Sequence, residues 1–188
     1  MRLLVVFPLL FAASTIASTT AQACNGYSEL CSRKWSDISQ IGTHDSAFDG
    51  ISFFDNQNVD ITKQLDAGIR FLQAQTHILF DELVLCHTAC EFRYAGTLVD
   101  YLTTIKTWLD KNPNEVVTLL LTNGDRQSVS LFGGAITSSA LNTYAYTPTK
   151  KLAIDEWPTL QEMITSGKRF VVFLGELRPV FTNCTLYS

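Results

Sequence analysis

Residues 115–121 read Glu-Val-Val-Thr-Leu-Leu-Leu, a near-continuous apolar run that begins just after Pro113. A run of strand length without polar alternation is what a strand covered on both faces requires. The segment before it, about residues 98–110, places Leu98, Tyr101, Leu102, Ile105, Trp108 and Leu109 on one face at 3.6-residue spacing. Thr97 with Asp100 forms a capping pair at its start. A helix feeding a doubly covered strand predicts an α/β fold on a largely parallel sheet.

The rest of the chain continues the alternation. Residues 37–41 are expected as a short strand ending at Gly42, and 69–75 as the next one. Residues 83–86 form another apolar run after a turn at Asp81 and Glu82, and 170–174 a last buried strand. Asp60 caps a short helix through Leu65, stopped by Gly68. A weaker helix is expected over 129–141, after a turn at 122–125. Another opens at Pro158 with Thr159 and Glu162 as its capping pair and stops at Gly167. About five strands imply a small open sheet or part of a barrel. A complete (β/α)8 barrel needs ~250 residues, more than this chain has.

The N-terminus reads as an export signal. Arg2 precedes an apolar run over residues 3–13, and Ala21-Gln22-Ala23 is a small-x-small cleavage site, so residues 1–23 are expected to be a signal peptide of a secreted protein. An uncleaved membrane anchor is the alternative, but the run is short for a bilayer. Five cysteines then meet an oxidising compartment. The short loops Cys24…Cys31 and Cys86…Cys90 suggest two local disulfides with Cys184 left over, although sequence does not fix connectivity. A zinc site is disfavoured because no Cys-x-x-Cys pair exists. Asn183-Cys184-Thr185 is a formal glycosylation sequon. A net charge of −4 without a basic stripe argues against nucleic-acid binding.

All three histidines, His44, His77 and His87, fall near strand ends. In parallel α/β folds the carboxyl ends of strands form the active face. Gly42 lets the backbone turn sharply before Thr43-His44-Asp45-Ser46, whose polar groups can fix an imidazole. If the strands before His44 and His87 are neighbours, the two rings converge. Such a pair suits phosphodiester cleavage, one ring taking a proton from the attacking hydroxyl and the other protonating the leaving oxygen. The simpler readings are a turn in which Asp45 caps a helix, and loop histidines in contact with water.

Ile41-Gly42-Thr43-His44-Asp45-Ser46, Gly68-Ile69-Arg70-Phe71 and Leu85-Cys86-His87-Thr88 resemble the X region of phosphatidylinositol-specific phospholipase C. The stretches Phe71-Leu72-Gln73-Ala74-Gln75-Thr76-His77 and 113–125 are more similar to the fungal secreted PLC-like phosphodiesterases, and the resemblance covers about residues 24–174. It implies a distorted TIM-type (β/α) barrel with only its N-terminal part present. It also implies a phosphoric diester hydrolase of lipid metabolism acting on an inositol-phospholipid-like headgroup, with transient membrane-surface contact. His44 would be the general base and His87 the general acid. Asp45 would be the carboxylate of the histidine network, and Gln73, Gln75, His77 and Asn123 would line the substrate.

The departures from that family are electrostatic. Gln73 and Gln75 stand where calcium-dependent relatives carry acidic ligands, and Gln75 also where metal-free bacterial enzymes carry an arginine. Thr122 and Asn123 replace a further acidic ligand. Neutral groups suit Ca2+ poorly, so no metal or other cofactor is expected, and they bring no positive charge to a phosphorane. Arg70 is three residues from Gln73, so strand alternation sends it to the opposite side, into a packing role. His77, which shares the parity of Gln73 and Gln75, and Arg93, in the loop after Cys90, are secondary candidates, for which a loop histidine in contact with water and a solvated arginine are the simpler readings. Residues 175–188 match neither a barrel helix nor a capped strand, and are expected to be a divergent tail from a retained intron or mis-called exon. A catalytically inactive secreted fragment that binds a ligand is the second functional reading, and a disulfide-stapled structural protein the third.

Overall fold

The computed structural model describes residues 22–176. Residues 1–21 of the expected signal peptide, Cys184, the sequon and residues 177–188 of the expected tail lie outside it. Its elements run β1 (Gly42–Thr43), α1 (Ile61–Asp66), β2 (Phe71–Leu79), β3 (Glu82–Cys86), β4 (Tyr94–Thr97), α2 (Leu98–Lys111), β5 (Val117–Asn123), α3 (Val129–Ser138), α4 (Leu160–Thr165) and β6 (Phe170–Glu176). One sheet orders the strands β4-β3-β2-β5-β6, with β1 also paired to β2.

The sheet is mixed, which corrects the expectation of a largely parallel one. β1, β5 and β6 run parallel to their neighbours, whereas β2–β3 and β3–β4 are antiparallel. The reversal is a hairpin whose two turn residues, Phe80 and Asp81, both have positive φ, 50° and 62°. That geometry matches the twist of the flanking strands but usually carries Asn-Gly, so the sequence hides it. Among the described residues the sheet stays open and does not close into a barrel. β6 runs two residues past the expected strand end, with Gly175 and Glu176 paired to Thr122 and Asn123.

The expected strand over 37–41 is also corrected. Trp35–Asp37 is a turn of 3-10 helix, and only Gly42 and Thr43 reach β2, opposite Phe71 and Leu72. A Cβ at position 42 would lie 2.8 Å from Cδ1 of Phe71, so glycine is what admits the chain to this edge.

Helix α2 buries the six side chains its periodicity singled out. Burying each contributes about 1.5–3 kcal/mol, more than the ~0.7 kcal/mol at most that each of Thr103, Thr104 and Thr107 costs as a helix former. Thr97 accepts from the backbone N–H of Asp100 at its start. With α1 and α3 it covers one face of the sheet, where Leu72, Ala74, Leu119 and Leu121 sit. The other face is covered only near the amino ends of β5 and β6, by a second cluster of Val116, Val171, Leu160 and Met163 with Trp35 and Trp157 packed against it. Double coverage there explains the apolar 115–121 run. Further along, the same face carries Gln73, Gln75 and Thr122, and polar chemistry begins.

Candidate active site

Two strands share one edge of β2. β1 pairs with its first residues, while β3 arrives from the opposite direction and pairs with Thr76 to Leu79. Between them lies a gap opposite Gln73–Gln75, where both chains leave the sheet. Ser46 fills it, its backbone N–H and hydroxyl both donating to the Gln73 carbonyl at 2.8 Å. His44 follows one strand and His87 the other, so the register brings them together.

They meet at Asp45. Its Oδ2 lies 3.0 Å from His44 Nε2 and 3.5 Å from His87 Nε2, and it accepts from Gln75 Nε2 at 3.0 Å. The Asp45 side chain is fully buried, whereas His87 is 21% and His44 67% exposed. Burial raises the Asp45 carboxyl above its ordinary range, and the two imidazoles oppose that shift, with the hydrogen bonds from Gln75 and Gln73 working in the same direction. Its Oδ1 has no hydrogen-bond partner among the described residues. Asp45 adopts a positive φ of 49°, a conformation that Asp and Asn tolerate better than other side chains. Its backbone N–H donates to Gln73 Oε1 at 2.8 Å.

The imidazoles are not equivalent. His87 Nδ1 lies 2.7 Å from the Phe54 carbonyl. A carbonyl only accepts, so Nδ1 carries a proton, and Nε2 is the nitrogen turned to Asp45. The ring also stacks on buried Phe48, centroids 5.4 Å apart. His44 turns Nε2 to the carboxylate and presents Nδ1 outward, while Gln57 holds its carbonyl at 2.6 Å. When Asp45 accepts Nε2–H, Nδ1 of His44 is a lone-pair base. His87 Nε2, when protonated, is an acid on the other side of the same carboxylate.

Both glutamines serve the interior of this site. Gln73 Nε2 donates to Thr122 Oγ1 at 3.2 Å, and Gln75 Oε1 accepts from the Thr88 N–H at 3.2 Å. They hold Asp45 and the His87 loop in place. His77 lies on the same face beyond them, beside Asp125. Asn123 is not brought to the site: it is buried, and its amide bonds twice to the Gln127 backbone. Its alternation follows Leu119 and Leu121 toward the helices. Arg70 pairs with Glu115 at 2.8 Å and lies over the Trp108 ring, the packing role alternation predicts. Arg93 differs from the solvated reading, because it pairs with Asp55 and donates to the Asp49 carbonyl. Sequence reasoning missed this clamp and the Phe54 carbonyl; both belong to the loop over residues 48–57, which has no periodic pattern.

The side-chain oxygens of Gln73, Thr122 and Gln75 are each engaged with protein groups.

Disulfides join Cys24 to Cys31 and Cys86 to Cys90. The second closes the loop that carries His87. Replacing Cys86 and Cys90 together with serine is expected to lower thermal stability and loosen the loop that carries the His87 ring. Thermal melts of the two proteins, with intact mass to establish the bond in the parent, check this.

An open mixed sheet, covered by helices on one face and partly on the other, with a His–Asp–His cluster at the junction of β1, β2 and β3, defines an α/β protein. The PI-PLC X family model, described as "PI-PLC X 1", matches residues 30–178, and the chain belongs to that family. It is 48% identical over 162 residues to "PI-PLC X domain-containing protein 1" of Arthroderma benhamiae, covering 84% of this chain and 53% of that protein. It is 45% identical to an "Uncharacterized secreted protein" of the same fungus, covering 83% of this chain and 36% of the relative. The chain thus spans about half the length of the first and about a third of the second. The fold is similar to that of phosphatidylinositol-specific phospholipase C from Listeria monocytogenes, with a TM-score of 0.56, 22% identity, and 82% and 57% of the two chains covered.

Proposed function

We propose that this chain carries the acid–base half of a secreted phosphoric diester hydrolase acting on an inositol-phospholipid-like substrate at a membrane surface. The observation that carries it is the single buried carboxylate shared by two imidazoles at the junction of β1, β2 and β3. In the reaction, a headgroup hydroxyl attacks phosphorus as its proton passes to His44 Nδ1. The bond from phosphorus to the glycerol oxygen breaks, and His87 Nε2 gives that oxygen a proton. Asp45 orients both rings and offsets the imidazolium charge that alternates between them. The open sheet would be the amino-terminal part of a TIM-type barrel. Family membership, the relative described as secreted and the two disulfides support export into an oxidising compartment.

A second reading, a ligand-binding protein without turnover, is favoured by one observation: Gln73 and Gln75 put neutral amides beside the carboxylate where a cation would serve catalysis. Phosphatidylinositol vesicles and a water-soluble inositol phosphodiester, each with and without EDTA, separate the two. The hydrolase reading expects product release at equal rates in both conditions. Saturable binding with no release on either substrate would replace it by the second reading.

A further inference from the structure

The polar face of β2 presents Gln73, Gln75 and His77 in succession, and the first two are spent on Asp45, Thr122 and Thr88. His77 is held but not spent. Its Nδ1 lies 2.9 Å from Asp125 Oδ1, and the other oxygen of that carboxylate accepts the Ile78 N–H at 2.7 Å. Gly124 passes so close that a Cβ there would stand 2.9 Å from the ring Cε1 and from the Thr76 carbonyl. The side chain is 18% exposed, and Nε2 has no protein partner among the described residues.

This fixation exceeds what the hairpin needs, since the Ile78–Asp125 bond alone ties β2 to the turn after β5. Its chemical consequence is an imidazole with one nitrogen occupied by a carboxylate and the other without a partner among the described residues. When protonated, such a ring is satisfied only if Nε2 also meets an acceptor, and an anionic oxygen is the strongest acceptor. His77 stands two residues, roughly 6.6 Å, along the strand from Gln75, which touches Asp45. With the ring protonated, Nε2 is an open donor on the same face as Gln73 and Gln75.

We propose that His77, held by Asp125, binds a phosphoryl oxygen of the substrate or product and supplies the donor that Gln73 and Gln75 do not. This rests on the phosphodiesterase reading of the neighbouring site. A lipid phosphodiester and free phosphate share the chemistry.

The test follows the Cε1–H resonances of the histidines in the full chain carrying His44→Ala, which stops turnover. One titration uses inorganic phosphate and the other a short-chain phosphatidylinositol kept below its micelle threshold. The His77 resonance is expected to shift saturably, and His77→Gln to weaken binding by about tenfold, or ~1.4 kcal/mol. Glutamine can still bond Asp125, so a purely structural histidine would leave affinity unchanged. A response to the lipid alone assigns the site to the headgroup phosphate, and a response to both assigns it to phosphate in general. An unmoved resonance with unchanged affinity in His77→Gln overturns the proposal. If the unmodified chain hydrolyses phosphatidylinositol in that case, the phosphodiesterase reading survives. If binding depends on His77 but the unmodified chain has no turnover, the anion site survives and that reading fails.

Discussion

His87→Ala is expected to lower kcat/KM on an inositol phosphodiester by about 10²–10⁴-fold, and His44→Ala by a similar factor, the usual worth of a positioned acid or base. The expectation rests on two different environments. His87 is fixed through Nδ1 to the Phe54 carbonyl and stacked on Phe48, so its Nε2 has one orientation. His44 is largely exposed, with one nitrogen on Asp45. A leaving group that needs little protonation should therefore rescue His87→Ala and leave His44→Ala impaired. Measuring kcat/KM on an alkyl and an aryl phosphodiester of inositol checks this. Equal rescue of both variants would reverse or dissolve the assignment of acid and base.

Asp45→Asn is expected to abolish most turnover, by about 10²–10⁴-fold, and yet to raise thermal stability at pH 7. Asparagine keeps the shape and tolerates the positive φ of 49° at this position. Burial raises the folded-state pKa of Asp45 above its ordinary value of 3.8. Between that value and the raised one, the folded chain holds a proton that the unfolded chain has released. The group's contribution to stability therefore falls as pH rises through that window, and is least favourable above it. A neutral amide removes this cost at pH 7 and gains nothing below the ordinary carboxylate range, where Asp45 is protonated in both states. Thermal melts of both proteins across pH 3 to 7 read the difference directly. A variant that loses stability together with activity would show that the carboxylate holds the fold.

Much of this site was legible because two of its histidines lie in continuous motifs, and their convergence needed only that their strands be neighbours. The two strands in fact both pair with β2 rather than with each other. The sequence suggested parallel strands, whereas His87 returns on an antiparallel hairpin whose Phe80-Asp81 turn lacks the usual glycine. Asn123, expected at the substrate, shares its alternation in β5 with Leu119 and Leu121 and is buried with them. The Phe54 carbonyl, the Gln57 contact to His44 and the Arg93–Asp55 pair had no signal of this kind. They come from a loop whose backbone, rather than its side-chain pattern, meets the site. The α2–β5 unit is legible because burial dominates it and burial has a period, although β5 runs Val117–Asn123 and takes in two residues of the expected turn.

The most direct measurement is 31P NMR of phosphatidylinositol vesicles treated with this chain in EDTA. Attack by a headgroup hydroxyl, with the paired histidines moving its proton, predicts a cyclic inositol phosphodiester as the first product, absent in His44→Ala and in His87→Ala. A linear inositol phosphate appearing first, or product formed only after calcium is added, would contradict the account.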